Sequence, residues 1–316
     1  MSAQVDTAAL PRRRFDTPRW DAVRRLLKNR MAVAGAVVVL GLLVLAVLAP
    51  SIAPAHFAEG DLVANNASPG ERFPLGADFM GRDLLSRLIY GTRISLTVGF
   101  IGAVTAFLIG IAYGTISGFF GGRTDAVMMR IVDILYAFPT ILFIILLMVV
   151  FKTTISPISS NPFTRGLIAL DRYFGGLLFI MIGIGLTSWV DMARISRGMA
   201  LSLRETEYIQ AARALGANNP RLMFRHLLPN LIGPCIVTVT LRIPRFIATE
   251  AFLSFIGLGV DPPTPSWGMM ISEGTKVLRS YPHQAIFPGL ALAITMLAFN
   301  FLGDGLRDAV DPRLKQ

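Results

Sequence analysis

The chain has 316 residues, a net charge of +10, a mean hydropathy of +0.58 and only 16% charged residues. A soluble domain carries roughly 25% charged residues; here the apolar residues fall in long uncharged runs, which excludes a disordered, collagen-like or ordinary soluble chain. One cysteine, Cys235, and three scattered histidines (His56, His226, His283) exclude an intramolecular disulfide and offer no zinc-type ligand spacing.

A helix crosses the hydrocarbon core of a bilayer with about 20 apolar residues. Runs free of acidic and basic side chains cover 31–58, 94–122, 134–151, 173–190 and 280–303, and each is long enough to span. A further apolar stretch, 231–260, carries Arg242, Arg245 and Glu250, and is read as the fifth of six spans. The fold class is therefore an all-α polytopic membrane protein with six transmembrane helices. Its segments are a basic N-terminal segment 1–30, a first helix 31–53, a loop 54–93, a core 94–304 and a tail 305–316. The apolar run after Met31 is longer than a signal-peptide core and its charged flank is too long, so an uncleaved anchor is expected.

Six spans put both termini on one side. With that side inside, nineteen of the 30 basic residues lie inside and nine outside, with Arg242 and Arg245 in the span. The positive-inside rule then places both ends in the cytoplasm, and basic flanks meeting anionic headgroups account for the net charge without nucleic acid.

The loop 54–93 is expected outside. Leu84, Leu85, Leu88 and Ile89 alternate at helical spacing with Arg82, Asp83 and Arg87, which predicts an amphipathic segment lying at the interface, as an anchor or as a docking element. Asp78 and Asp83 lack the ligand series of a calcium loop. Gly110, Gly114 and Gly118 recur at every fourth position of the second span, a small-residue face for helix packing. Asp191 and Arg194 are spaced as a local pair, and Asp133 is expected near the interface.

The inside segment 191–229 is the most informative. Ser202 and Glu205 have capping-box spacing, Ala211, Ala212 and Ala214 favour helix, and Gly216 is a natural stop. Asn219 then caps a second short helix with Pro220 at its first position, and Pro229 ends it. The prediction is two short helices at an angle, a rigid lever whose small residues Ala211, Ala212 and Gly216 admit another protein closely. On spacing alone a surface hairpin without a partner remains open. In the fifth span Arg242, Arg245 and Glu250 fall on one side of a helix that Pro244 bends. Charges at that depth face a cavity or one another, so they either line a path and meet its solute, pair structurally with a partner subunit, or snorkel toward an interface.

The pattern Gln210-Ala-Ala-x3-Gly216-x9-His226-x-Leu228-Pro229 resembles the EAA loop of ABC importer permeases, with Gln210 for the family's Glu and His226 for its Ile. The segments 74–83, 225–230, 249–259, 262–268 and 303–313 are similar to the C-type permease subunit of dipeptide and oligopeptide importers. The resemblance covers nearly the whole chain. It implies a type I importer permease of MetI-like fold in the bacterial inner or plasma membrane. It further implies a second, B-type permease subunit, two ATP-binding subunits and an extracytoplasmic binding protein as partners. The segment 204–229 would be the coupling loop, with Gln210, Ala211, Ala212, Gly216, Leu228 and Pro229 as its motif residues. No cofactor is expected in this chain, because ATP and Mg would be bound by the partner ATPases. The expected function is a non-enzymatic permease subunit of an ATP-driven peptide importer. An importer of nickel or another non-peptide solute, and more remotely an intramembrane hydrolase or channel, are the alternatives. No Gly-x4-Gly-Lys-Ser/Thr loop occurs in the sequence.

Overall fold

The computed structural model describes residues 18–154 and 162–310. The N-terminal bases before Pro18, and Arg313 and Lys315, lie outside the described residues. A short helix α1 (Pro18–Lys28) leads into α2 (Arg30–Ile52), whose N-terminus is capped by the Asn29 side chain accepting from the N–H groups of Met31 and Ala32. A loop with one 3-10 turn (Leu62–Ala64) follows, then α3 (Leu84–Phe120). At 1.5 Å per residue, the 37 residues of α3 run about 55 Å, well beyond the thickness of a hydrocarbon core.

The third predicted span is not one straight helix. It is divided into α4 (Gly122–Ala137) and α5 (Thr140–Thr154), bent by 78° at Phe138–Pro139. Pro139 has no N–H to continue the helix, and it drives Phe138 into extended backbone. Five helical stretches long and apolar enough to cross a membrane, one of them (Asn219–Phe255) interrupted after Thr240, and this bent pair counted as one give six candidate spans among the described residues. After α6 (Pro162–Tyr173) come α7 (Leu178–Arg204) and α8 (Glu207–Ala214). Next is a continuous helical run of α9 (Asn219–Arg221), a π-helical stretch (Leu222–Leu227) and α10 (Leu228–Thr240). The chain closes with α11 (Ile243–Phe255), α12 (Trp267–Thr275) and α13 (His283–Val310).

Helices α3 and α7 pack in parallel along the predicted glycine face. A Cβ at Gly110 would sit 2.5 Å from the Met192 Cβ, at Gly114 2.0 Å from the Ser196 hydroxyl, and at Gly118 2.6 Å from the Arg197 carbonyl oxygen. That closeness lets Ser196 donate to the Gly110 carbonyl at 2.8 Å and Ser188 to the Gly102 carbonyl at 3.2 Å. Small residues thus let helices associate in lipid, where the hydrophobic effect does not drive them together. Helix α11 crosses the same face antiparallel, with Ile247 against Gly99 and Phe246 against Gly102. Gly35 of α2 meets the Ala298 carbonyl of α13, and Gly305 of α13 meets Ala32.

These contacts define two ends. At the hairpin end, the Arg204 guanidinium of α7 donates to the Gly118 and Phe119 carbonyls that end α3. At the cap end, Trp267 of α12 donates to the Leu88 carbonyl of α3 at 3.3 Å, and Gln284 of α13 donates to Asn66 at 2.8 Å and to the Ala77 carbonyl at 3.1 Å.

The expected interfacial stretch spanning Arg82 to Ile89 leads into the first turns of α3, and its polar face is buried. Asp83 caps α3 by accepting from the Ser86 N–H at 2.7 Å. Asp78 accepts from Arg82 at 2.6 Å and also pairs with Arg87, while Glu273 of α12 reaches Arg87 at 3.0 Å. Asp78, Arg82, Asp83 and Arg87 are all buried. The amphipathic pattern is real, but its charges meet partners from the loop and from α12 rather than water.

Candidate functional site

Two places carry the predicted site residues: the hairpin at one end, and the breaks in the membrane helices. In the hairpin, α7 runs on through Ser202 to Arg204, so the predicted capping box does not start a helix. Thr206 precedes α8 instead, its hydroxyl donating to the Leu203 carbonyl at 2.6 Å. Gly216 ends α8 as expected. Its φ of +85° is the left-handed backbone that glycine adopts without steric cost. The Ala217 N–H bonds the Ala212 carbonyl at 3.1 Å across that turn.

The next cap is Asn218 rather than Asn219, its side chain accepting from the Arg221 N–H at 3.1 Å. Pro229 does not end the second helix. The helical run passes through it, a wider π turn over Leu222–Leu227 leading directly into α10 at the point where Pro229 supplies no N–H. The hairpin is therefore continuous with the fifth span: the helical run that carries the apolar stretch begins at Asn219. Asn230 holds the two arms together, donating to the Tyr208 hydroxyl at 3.2 Å and to the His226 carbonyl at 2.6 Å.

Ile209, Leu222 and Leu227 anchor this hairpin on the core. Gln210, Ala211, Gly216 and Pro229 are exposed, and Ala212 and Leu228 half-buried. Leu215 is 89% exposed and Phe224 64%. An apolar, small-residue surface on a well-anchored lever is what a protein partner would cover.

In the fifth span, α10 stops at Thr240 and α11 starts at Ile243, with Pro244 in its first turn. Arg242 stands in that break and pairs with Asp191 of α7. Arg245 approaches the same carboxylate at 3.9 Å and is largely exposed. Both arginines line a cavity of about 590 Å³ together with Thr238 and Arg307. They also line a smaller one with Thr140, Ser188 and Asp191. Thr140 opens α5 just after the bend at Pro139, so the broken third and fifth spans face one polar pocket. Glu250 does not join them. It is fully buried, accepting hydrogen bonds from Ser95 at 3.1 Å and Ser254 at 2.6 Å, and it ties α11 to α3. Asp191 is thus the partner of Arg242 and not of Arg194. Arg194 instead pairs with the half-exposed Asp133 at 2.7 Å.

Sequence reasoning missed Asp191 as a cavity residue and the buried cluster around Asp78. The only sequence signal was an excess of charge in a stretch otherwise patterned for burial.

A six-span helical bundle with broken third and fifth spans and an exposed helical hairpin leading into the fifth is the architecture of a transport permease. Residues 110–316 match the family described as binding-protein-dependent transport system inner membrane component. Residues 17–69 match the N-terminal TM domain of oligopeptide transport permease C. The chain belongs to the binding-protein-dependent transport system inner membrane component family. It is 42% identical over 94% of its length to the oligopeptide transport system permease protein OppC of Bacillus subtilis, covering 90% of that protein. It is 41% identical over 94% of its length to the dipeptide permease DppC of the same organism, covering 86% of it. It is 38% identical over 95% of its length to the glutathione permease GsiD of Pectobacterium atrosepticum, covering 92% of that protein. Its backbone resembles a chain of the inward-facing MetNI methionine ABC transporter with a TM-score of 0.54 at 20% identity, over 71% of this chain and 96% of that one, which shows the fold alone.

Proposed function

We propose that this chain is one of two unlike permease subunits of an ATP-driven importer of di- or oligopeptides in a bacterial inner membrane, with both termini cytoplasmic. An extracytoplasmic binding protein delivers the peptide, and two separate ATP-binding subunits supply ATP, Mg and hydrolysis. The observation that carries the reading is the hairpin of α8 and α9, exposed at its tip, anchored at its base and continuous with the span that carries Arg242.

Closure of the ATPase pair pushes on Ala211, Ala212, Leu215 and Gly216. The motion passes through the Asn230 clamp into α10 and reaches the break at Arg242. ATP can shift the permease between its inward- and outward-facing states only by its differential affinity for the two. Arg242 and Arg245, held by Asp191 beside the pocket, present positive charge to the carboxylate end or backbone carbonyls of a passing peptide. Oligopeptide, dipeptide and glutathione systems among the relatives favour a peptide over nickel.

The test is co-expression with the partner subunits, followed by co-purification and uptake into vesicles. Leu215→Asp abolishes recovery of the ATP-binding subunits and ATP-dependent uptake of a labelled dipeptide. Uptake of nickel ion but not of peptide, or undiminished recovery of the ATPases, overturns the reading.

A further inference from the structure

At the cap end a cleft of about 540 Å³ opens between the first turns of α3, the junction of α6 with α7 (Gly175, Met181) and the loop at Thr264–Pro265. Its walls bring together Arg93 of α3, Arg172 at the end of α6, and the rings of Phe57, Tyr90, Tyr173 and Phe174. The Phe57 and Tyr90 rings meet edge-on at 4.9 Å, and Tyr173 and Phe174 at 5.3 Å, so the aromatic walls are fixed by their own packing. Both arginines are exposed, and neither guanidinium has an ion pair among the described residues. Among the described residues no carboxylate lines the cleft. Asp171, next to Arg172 in sequence, caps α7 by accepting from the Leu178 N–H at 3.0 Å.

Below the cleft the same face of α3 continues with Thr97, Ile101, Val104 and Leu108. At 100° per residue these stack under Arg93 and Ile94. Val104 and Leu108 are exposed. Two unpaired guanidinium groups, an aromatic collar and an apolar stripe descending the helix match the three parts of a phospholipid: phosphate, glycerol level and acyl chain. Arg is suited to a phosphate diester because its planar fork donates two hydrogen bonds at once. Aromatic side chains settle at the headgroup level of a bilayer.

We infer that this cleft is a binding site for an anionic phospholipid, whose phosphate sits between Arg93 and Arg172 and whose acyl chain lies along Ile101, Val104 and Leu108. The site is independent of the solute carried.

The assembled importer, in nanodiscs of phosphatidylcholine with or without phosphatidylglycerol, tests this by native mass spectrometry of retained lipid. The unaltered complex keeps phosphatidylglycerol in preference to phosphatidylcholine. A basic residue near a charged membrane surface contributes enough for about a fivefold change in retention, so Arg93→Gln/Arg172→Gln loses about 25-fold. Arg93→Lys/Arg172→Lys, which keeps the charges, retains most of the preference and guards against misfolding. Undiminished phosphatidylglycerol retention in the glutamine variant overturns the proposal. Displacement of the lipid by inorganic phosphate alone assigns the cleft to a free anion and overturns it too. No preference for phosphatidylglycerol in the unaltered assembled importer, with Arg93→Cys cross-linking to the second permease subunit, shows a protein contact there and does the same.

Discussion

At the cap end, four charged side chains turn inward. Asp78, Arg82, Arg87 and Glu273 neutralise one another, and all but Glu273 are buried. At the hairpin end, apolar side chains turn outward. Leu215 and Phe224 face solvent on helices anchored by the buried Ile209, Leu222 and Leu227 beneath them. A buried ion cluster gives geometry at the expense of desolvation, so it suits a rigid cap. An exposed apolar hairpin is unfinished as a surface, so it suits a contact made and remade with another protein. The molecule thus pairs a closed end with one that a partner completes.

The largest effect that would break this contrast is at Asp78. Asp78→Ala leaves two buried guanidinium groups short of a counter-charge, and it should lower stability by about 3–5 kcal/mol in thermal unfolding of the purified protein. A cap that tolerates the change is not the rigid element described. Next is Gly114→Val in the shared α3–α7 spine. Its new side chain collides with the Ser196 hydroxyl and the Ala193 carbonyl, and about 1–3 kcal/mol should be lost in the same measurement.

Gly216→Ala meets no neighbour and costs only its left-handed backbone, about 1–2 kcal/mol, read as reduced protection of the hairpin in hydrogen exchange. Leu215→Asp should leave unfolding within about 0.5 kcal/mol of the original, because its side chain is exposed among the described residues. A large loss there would mean that the hairpin packs on this chain and is not a free surface.

The smallest effect is a pH dependence in the cap loop. The Arg72 guanidinium, hydrogen-bonded to Asp61, holds that carboxyl below its ordinary value. Its stabilisation is present above the ordinary carboxylate pKa of about 3.9 and is lost as pH falls through the lower folded value. Exposure of the pair keeps the effect small. In a carboxyl NMR titration, Arg72→Gln should move Asp61 back up.

Much of the hairpin end was legible in the sequence, because its signals are local: an alanine-rich turn of helix, Gly216, and an Asn before Pro220. The cap falls one residue earlier because Asn218 rather than its neighbour accepts from the Arg221 N–H, and the helix runs on through Pro229 by way of a π turn that no short-range rule anticipates. The glycine face of α3 was legible because a four-residue repeat of small residues has one structural meaning in lipid. The cap end was misread because periodicity reports an amphipathic face without saying what meets it. Glu273 comes from 186 positions beyond Arg87 and turns an expected interfacial helix into core. The same holds in the fifth span. Asp191 sits three residues from Arg194, but the crossing of α7 with the break after α10 gives it Arg242, while Glu250 is drawn off by serines of α3 and α11.

The central claim is that a separate motor in the cytosol works this subunit through its hairpin. Ala211→Cys in the assembled complex, treated with an impermeant thiol cross-linker, tests it most directly, since the native Cys235 is buried. The account predicts a cross-link to an ATP-binding subunit in inside-out vesicles and no labelling in right-side-out ones. Labelling of residue 211 from the outer face, or a cross-link only to the second permease subunit, would contradict it.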